Sequence, residues 1–190
     1  GHTNIISTDA LSDLSEIKVI HKSFRPNSFD LILTNPPFGA VVKEIEHPYL
    51  QNYELGRGRK AQKTEILFIE RCLAFLKDGG KLAIVLPDGI LTNSSLQYVR
   101  DFIMAKAQVL AIVSLPQFAF THFGAGVKSS LVFLRKKEQN EELGNYPIFM
   151  AIAEHIGYDA TGRKDPVNDL DKIAEEYRKF QKNPKDYISD

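Results

Sequence analysis

Cysteine is almost absent from this chain of 190 residues, and tryptophan is missing altogether. The only cysteine, Cys72, excludes a disulfide framework and a multi-cysteine zinc site, and such cysteine usage is typical of a reducing cytoplasm. Long apolar runs are missing too, since the run at residues 82–86 is far too short to cross a bilayer. The chain does not open on a basic and then apolar signal segment. We therefore expect a cytoplasmic protein with no membrane partner.

The chain also has no excess of charge of either sign, because 24 Lys and Arg residues balance 24 Asp and Glu residues. A neutral total does not mark a nucleic-acid-binding protein, although it can hide a local basic face. The five histidines are scattered, with no pair four residues apart and no cysteine cluster nearby. We therefore predict no metal site.

Apolar residues make up 43% of the chain and charged residues 25%, a composition typical of one globular domain. Short apolar runs alternate with amphipathic stretches, which predicts an α/β fold with a parallel sheet. Helices are expected from Thr64 to Gly79, through residues 94–103, and from about Asp169 onward. The predicted strands are residues 3–7, 29–34, 81–86, 109–115, 129–134 and 147–152.

The most informative residues are Asn35, Pro36, Pro37 and Phe38, which directly follow the strand predicted at 29–34. Ligands of open α/β sheets bind at the carboxyl ends of the strands. The prolines fix the backbone, so the Asn35 side chain and the Pro36 carbonyl become two rigid hydrogen-bond acceptors. Two such acceptors suit a planar amine such as that of adenine. They bind its N–H groups, free its lone pair to attack a methyl donor, and stabilise the positive charge that develops.

Phe38 adds an aromatic surface on which a base can stack, a contact worth about 1–3 kcal/mol. A base in a duplex must be flipped out of the helix to reach it. We predict that Asn35, Pro36, Pro37 and Phe38 are the catalytic residues. The alternative interpretation is that the same residues form only a rigid turn after a strand.

Two long segments have the composition of functional loops. Residues 40–63 contain Arg57, Arg59, Lys60 and Lys63, which could contact the phosphates of a nucleic acid or simply form a solvated loop. Residues 117–128 are rich in glycine and aromatic residues. Phenylalanine is costly to leave in water, so we expect the phenylalanines of this second loop to be packed. His122 is the histidine best placed there to touch a base or a phosphate.

The segment from Phe29 to Gly39 resembles the catalytic motif of the adenine-N6 DNA methyltransferases, most closely that of the modification subunit of type I restriction–modification systems. The resemblance continues through Glu65–Leu91 and Leu115–Ser130, and to Ile156–Leu170 near the end of the subunit's catalytic region. It implies a Rossmann-like methyltransferase fold of class α/β, in a bacterial or archaeal cytoplasm. It also implies that Phe120 forms a second wall of the base pocket, with Phe123 as the second choice.

The same resemblance implies S-adenosylmethionine as the cofactor, contacted by Asp9, Ala10 and Asn35. The family's glycine-rich cofactor loop and first two strands have no counterpart in the sequence, which resembles the family from its third strand onward. We therefore expect a truncated fold, in which this chain alone binds S-adenosylmethionine weakly or not at all and is inactive. The strand that ends at Thr34 should then form an open sheet edge, through which the chain could self-associate.

Several expectations concern organisation and partners. Residues 1–152 should form the carboxyl-terminal part of the catalytic domain, with residues 153–190 as a helical extension packed on it. The resemblance implies DNA as substrate, with a specificity subunit and a restriction subunit as partners. Two alternatives stay open, namely methylation of another planar nitrogen (a protein glutamine or an RNA guanine) and a non-catalytic scaffold that docks on other subunits.

Overall fold

A computed structural model describes residues 5–20 and 23–187 of the chain. In these ranges the helices are α1 Leu14–Ile20, α2 Thr64–Phe75, α3 Asp88–Thr92, α4 Gln97–Lys106 and α5 Leu170–Lys182. The strands are β1 Phe29–Thr34, β2 Val41–Lys43, β3 Ala61–Lys63, β4 Leu76–Pro87, β5 Ala107–Ser114, β6 Ser129–Lys136, β7 Phe149–Ile152, β8 Ile156–Tyr158 and β9 Lys164–Asn168. Short 3-10 turns lie at Pro48–Asn52, Ser94–Leu96, Thr121–Phe123 and Pro184–Tyr187.

Five strands form the central sheet, in the order β1-β4-β6-β5-β7. The pairs β1–β4 and β5–β7 are parallel, whereas β6 runs antiparallel to both of its neighbours. The expected parallel sheet is therefore a mixed one. The reason is the connection between β5 and β6, which contains no crossover helix. A parallel neighbour requires a crossover, whereas an antiparallel one needs only a loop.

Apolar side chains that alternate along the strands cover both faces of the sheet. Val132 and Leu134 on β6 pack in one core with residues of α2 and α4, such as Ile69 and Phe102. Phe133, between them, faces the opposite side and packs with Tyr177 of α5. Helices α2 and α4 thus cover one face of the sheet, and α5 packs against part of the other.

Some predicted boundaries differ from the structure. Helix α2 ends at Phe75 rather than at Gly79, because the fully buried Leu76 already pairs with Phe29 of β1. Gly79 instead takes its positive φ of 75° within β4, where the β1–β4 register shifts. The strand predicted at 3–7 lies partly outside the described residues, and residues 5–7 are not a strand. The proposed extension at 153–190 contains the β8–β9 hairpin as well as α5.

Within the described residues, β1 pairs only with β4 and so lies at an edge of the sheet. Two of its apolar side chains are largely in solvent, with Leu31 56% exposed and Leu33 71% exposed. An edge strand with exposed apolar residues is a template for pairing with another chain. No helix in residues 5–20 or 23–187 is long and apolar enough to cross a bilayer.

We expect the 190-residue chain to self-associate through β1, with an average mass in sedimentation equilibrium that rises with concentration. Leu33→Lys should shift this equilibrium toward monomer, because a charge on an edge strand opposes pairing. Met104→Lys, on the exposed part of α4, is the matched control and should leave the association unchanged. A wild-type chain that stays monomeric across the concentration series would contradict the prediction.

Candidate active site

The Asn-Pro-Pro-Phe segment lies at the carboxyl edge of the sheet. Strand β1 ends at Thr34, which pairs in parallel with Ile84 of β4, and Asn35 is the next residue. Strand β5 ends and β6 begins at the same edge, since Ser130 pairs both with Ser114 and with the carboxyl end of β4. The loop of residues 115–128 that joins these two strands therefore emerges on the same side as Asn35. This is the edge where ligands of open α/β sheets bind.

The two acceptors predicted from the sequence are available. Asn35 is exposed, and no described residue hydrogen-bonds to its side chain. The carbonyl of Pro36 likewise accepts no hydrogen bond within the described residues. Pro36 itself is buried and Pro37 is exposed, so the segment is anchored at its second residue. An anchored backbone with unused acceptors can bind a donor without first breaking its own hydrogen bonds.

Phe38 and Phe120 lie together, although they are distant in sequence. Their ring centroids are 6.0 Å apart and the planes meet at 86°, an edge-to-face contact. Both side chains are half-buried, so each keeps an accessible surface. The structure thus places the aromatic residue of the motif against the wall residue implied by the resemblance. Their role in holding a base stays a prediction.

The other aromatic loop residues differ in their packing. Phe118 and Phe120 pack beside Val113 and Leu115. Phe123, in contrast, is 72% exposed, so the expectation that all these phenylalanines are packed is wrong for this one. A long-range hydrogen bond holds the packed part of this loop against the β8–β9 hairpin, since the Tyr158 hydroxyl donates to the carbonyl of residue 119 at 2.8 Å.

His122 belongs to the same loop. It is exposed, and its ring meets that of Phe123 edge-to-face at 5.4 Å. It also lies against Gly162, where an added Cβ would be 2.6 Å from the imidazole ring. The rings of Phe123 and His122 therefore contact each other, and among the described residues neither ring contacts Phe38.

The predicted cofactor contact at Asp9 lies on an exposed turn. One carboxylate oxygen accepts the N–H of Leu11 at 2.9 Å, and the other accepts the hydroxyl of Tyr49 at 2.7 Å. Partial burial, with the Asp9 carboxylate beside it, raises the pKa of Tyr49, so the phenol stays protonated and donates. Each carboxylate oxygen retains a lone pair for a further donor. Ala10, next in the turn, is exposed.

The basic residues belong to a structured segment rather than to one long loop. Residues 40–63 contain the β2–β3 ribbon and a 3-10 turn, joined by short connections. Arg57, Lys60 and Lys63 are exposed, whereas the Arg59 guanidinium lies 4.0 Å from the centre of the Tyr98 ring. Within the part of the chain that the structure describes, these three exposed cations form no ion pair and are free to meet a charged ligand, whereas Arg59 is held by a cation–π contact.

Four polar residues at the same edge, which form side-chain hydrogen bonds there, had no role assigned from the sequence. The Ser130 hydroxyl donates to Asp88 at 2.7 Å and joins the end of β4 to the start of β6. The Lys128 ammonium donates to the Ser114 hydroxyl at 2.9 Å and also to the Leu115 carbonyl. The residues themselves are visible in the sequence. Only the strand order shows that their side chains link the ends of neighbouring strands at this edge.

Comparison with known proteins gives a direct assignment. The family model described as N-6 DNA Methylase matches residues 2–189, nearly the whole chain. The chain belongs to this family. Its mixed sheet, with the Asn-Pro-Pro-Phe segment at the carboxyl edge, is therefore part of an N-6 DNA methylase fold.

Two curated relatives of this N-6 DNA methylase chain are subunits of type I restriction enzymes. The methylase subunit of EcoEI from Escherichia coli is 29% identical over 119 residues, which covers 62% of this chain and 23% of that subunit. The methylase subunit of EcoKI, from Escherichia coli strain K12, is 26% identical over 112 residues, or 56% of this chain and 18% of that subunit. The chain thus spans about a fifth of the length of these relatives.

Solved structures share the fold. A class I S-adenosylmethionine-dependent methyltransferase of Listeria monocytogenes superposes with a TM-score of 0.61 at 23% identity, over 81% of this chain and 43% of that one. A type I restriction enzyme modification subunit from Vibrio vulnificus YJ016 superposes with a TM-score of 0.60 at 20% identity. The superposition covers 97% of this chain and 35% of that one. The fold is therefore the Rossmann-like α/β fold of class I methyltransferases.

Proposed function

We propose that this chain forms the target-base side of a site that transfers a methyl group from S-adenosylmethionine to N6 of adenine in DNA. The observation that carries the proposal is the position of Asn35 at the carboxyl edge of the sheet. Its side chain is exposed and unpartnered among the described residues, and the ring of Phe38 in the same segment faces Phe120. Membership of the N-6 DNA methylase family supports the reaction class.

The roles of the residues follow from this arrangement. The Asn35 side-chain oxygen and the Pro36 carbonyl accept the two N–H groups of the adenine amine, and the prolines keep both acceptors in place. This pair draws the nitrogen away from planarity and localises its lone pair. The same acceptors stabilise the positive charge that develops on N6. No general base is required, because the methylated amine is acidic enough to lose its proton to water.

The base itself is held by the aromatic residues. Phe38 offers a face for stacking, and Phe120, whose ring lies nearly perpendicular to that of Phe38, closes the pocket from the side. Exposed Arg57, Lys60 and Lys63 would contact phosphates of the duplex, which position DNA without reading its sequence. We propose that sequence recognition lies with a specificity subunit, and that a restriction subunit is a further partner.

The residues present fit part of the cofactor. Asp9 offers carboxylate lone pairs on an exposed turn, which suits the amine or hydroxyl donors of the adenosine group. When bound, S-adenosylmethionine supplies an electrophilic methyl group on a sulfonium. We propose that Asp9 and Ala10 contact the adenosine and that Asn35 lies beside the methyl donor.

The test uses the full-length protein with tritiated S-adenosylmethionine and, separately, DNA, RNA and protein substrates. Each assay is run with and without the candidate specificity subunit. Label on N6 of adenine in DNA is the expected result, and dependence on the partner would support the type I assignment. Label on a protein glutamine or an RNA guanine would show that the substrate is protein or RNA rather than DNA. No label with any substrate would favour a docking scaffold.

A further inference from the structure

Arg71 is a buried arginine on α2 for which the proposed chemistry has no use. It is 5% exposed, and within the described residues it forms no ion pair with a carboxylate. One nitrogen of its guanidinium, Nη1, is buried without a hydrogen-bond partner. Burying a cation in this way costs stability unless its other contacts compensate. Those contacts show what the arginine holds.

The hydrogen bonds of Arg71 converge on one turn, and its guanidinium also lies over the rings of Tyr53 and Phe75. Nη2 of Arg71 donates to the carbonyls of Ser12 at 2.6 Å and Leu11 at 3.1 Å. Nε donates to the hydroxyl of Tyr53 at 2.9 Å, and that hydroxyl donates in turn to the Leu11 carbonyl at 2.8 Å. Burial raises the pKa of Tyr53 to about 12, so its phenol keeps the proton that this last bond needs.

The turn held in this way carries Asp9. The N–H of Leu11 donates to one Asp9 oxygen at 2.9 Å, so Leu11 is bound through its carbonyl on one side and its N–H on the other. Tyr49 holds the second Asp9 oxygen. A continuous set of hydrogen bonds therefore runs from the buried guanidinium to the exposed carboxylate.

We propose that Arg71 and Tyr53 are positioning residues that set the orientation of the Asp9 carboxylate toward the adenosine part of S-adenosylmethionine. This inference rests on the proposed function, in which Asp9 is a cofactor contact. A carboxylate on an otherwise exposed turn would sample several orientations, and fixing one of them beforehand lowers the entropy cost of binding. Arg71 and Tyr53 act through Asp9 and touch neither the methyl group nor the base.

The test compares Tyr53→Phe and Arg71→Lys in the full-length protein. The Kd of S-adenosylmethionine is measured by titration calorimetry, together with KM, kcat and Tm. Tyr53→Phe should raise this Kd about 2- to 12-fold, the factor that corresponds to one net hydrogen bond. Arg71→Lys should raise it about 10-fold or more, since charged hydrogen bonds are lost. In both variants kcat at saturating cofactor should stay within about twofold, because a positioning residue acts on binding.

Two further variants make the test specific. Arg135→Lys is the matched control, because Arg135 pairs with Glu141, hydrogen-bonds to no residue of the turn that carries Asp9, and should not change the cofactor Kd. In an Asp9→Ala background, Arg71→Lys should have no further effect on Kd, because the contact through which it acts is gone.

The contrary outcomes are distinct. A lower Tm with unchanged Kd and KM for S-adenosylmethionine in both variants would show that Arg71 and Tyr53 only stabilise the fold. Additive effects of Asp9→Ala and Arg71→Lys would also overturn the inference, because the arginine would then act independently of Asp9. In either case wild-type methylation of DNA would leave the proposed function intact. A wild-type protein that neither binds the cofactor nor methylates DNA would overturn both proposals.

Discussion

Asn35→Ala in the full-length protein should lower kcat for methyl transfer to DNA about 10²- to 10³-fold, the usual cost of removing one preorganised group that stabilises transition-state charge. The substitution removes the exposed side-chain acceptor and leaves the Pro36 carbonyl in place. The amine nitrogen then keeps one N–H unbound, and the developing charge on N6 loses one of its two stabilising acceptors. The measurement is single-turnover incorporation of tritiated methyl groups into DNA, which separates the chemical step from product release.

The matched control is Asn145→Ala, which truncates another exposed asparagine, in the segment before β7. Its single-turnover rate should equal that of the wild type. Asn35→Asp is a second variant, because it keeps an acceptor oxygen of nearly the same size but adds a negative charge. Single-turnover rates for Asn35→Ala within about twofold of the wild type would refute the catalytic assignment and favour the interpretation of a rigid turn.

The place of this site in the fold could be predicted from local sequence. Residues 29–34 are an apolar strand that stops at Pro36, and the structure has the strand Phe29–Thr34 with the motif at its carboxyl end. Strand ends and proline pairs are local signals, because they depend on residues adjacent in the chain. The open edge at β1 was expected from the family resemblance instead, and β1 pairs only with β4 within the described residues.

The contacts that shape the site could not be predicted from local sequence, because they join residues that are far apart in the chain. The aromatic loop offers both Phe120 and Phe123 with similar local surroundings. The structure brings Phe120 to Phe38, with the Tyr158 hydrogen bond at the preceding residue, and leaves Phe123 exposed. Arg71 looks like an ordinary helix residue until its bonds to residues 11 and 12 are seen. Tertiary packing decides such cases, and helical or strand periodicity does not report it.

The antiparallel direction of β6 was partly predictable from the sequence. The segment from 116 to 128 contains Gly124, Gly126 and Pro116 and no helical apolar pattern, which is a usable signal against a crossover helix. This signal predicts that β6 runs antiparallel to β5, since a parallel neighbour needs a longer crossover connection. The alternation of strands and helices elsewhere in the chain favoured the parallel sheet instead.

Phe38→Ala should lower kcat/KM for DNA about 5- to 150-fold, which corresponds to the loss of one base-stacking contact of about 1–3 kcal/mol. Phe38→Tyr should retain most of the activity, because it keeps the aromatic face. Phe120→Ala should lower kcat/KM by a smaller factor, since its edge-to-face contact with Phe38 closes the pocket without providing the stacking surface. Fluorescence of 2-aminopurine at the target position reports whether the base still leaves the duplex and stacks.

The double variant separates a shared pocket from two independent contacts. Because the two rings lie 6.0 Å apart, removing both should cost less than the sum of the single effects on the free energy of activation. Met150→Ala, on the exposed face of β7, is the control for loss of an apolar side chain and should behave as the wild type. If Phe123→Ala proves more damaging than Phe120→Ala, the exposed Phe123 must move to the base when DNA binds, and the pocket wall would be assigned to it. Strictly additive effects of Phe38→Ala and Phe120→Ala on the free energy of activation would contradict a common pocket. Two residues that hold the same base should show coupled effects.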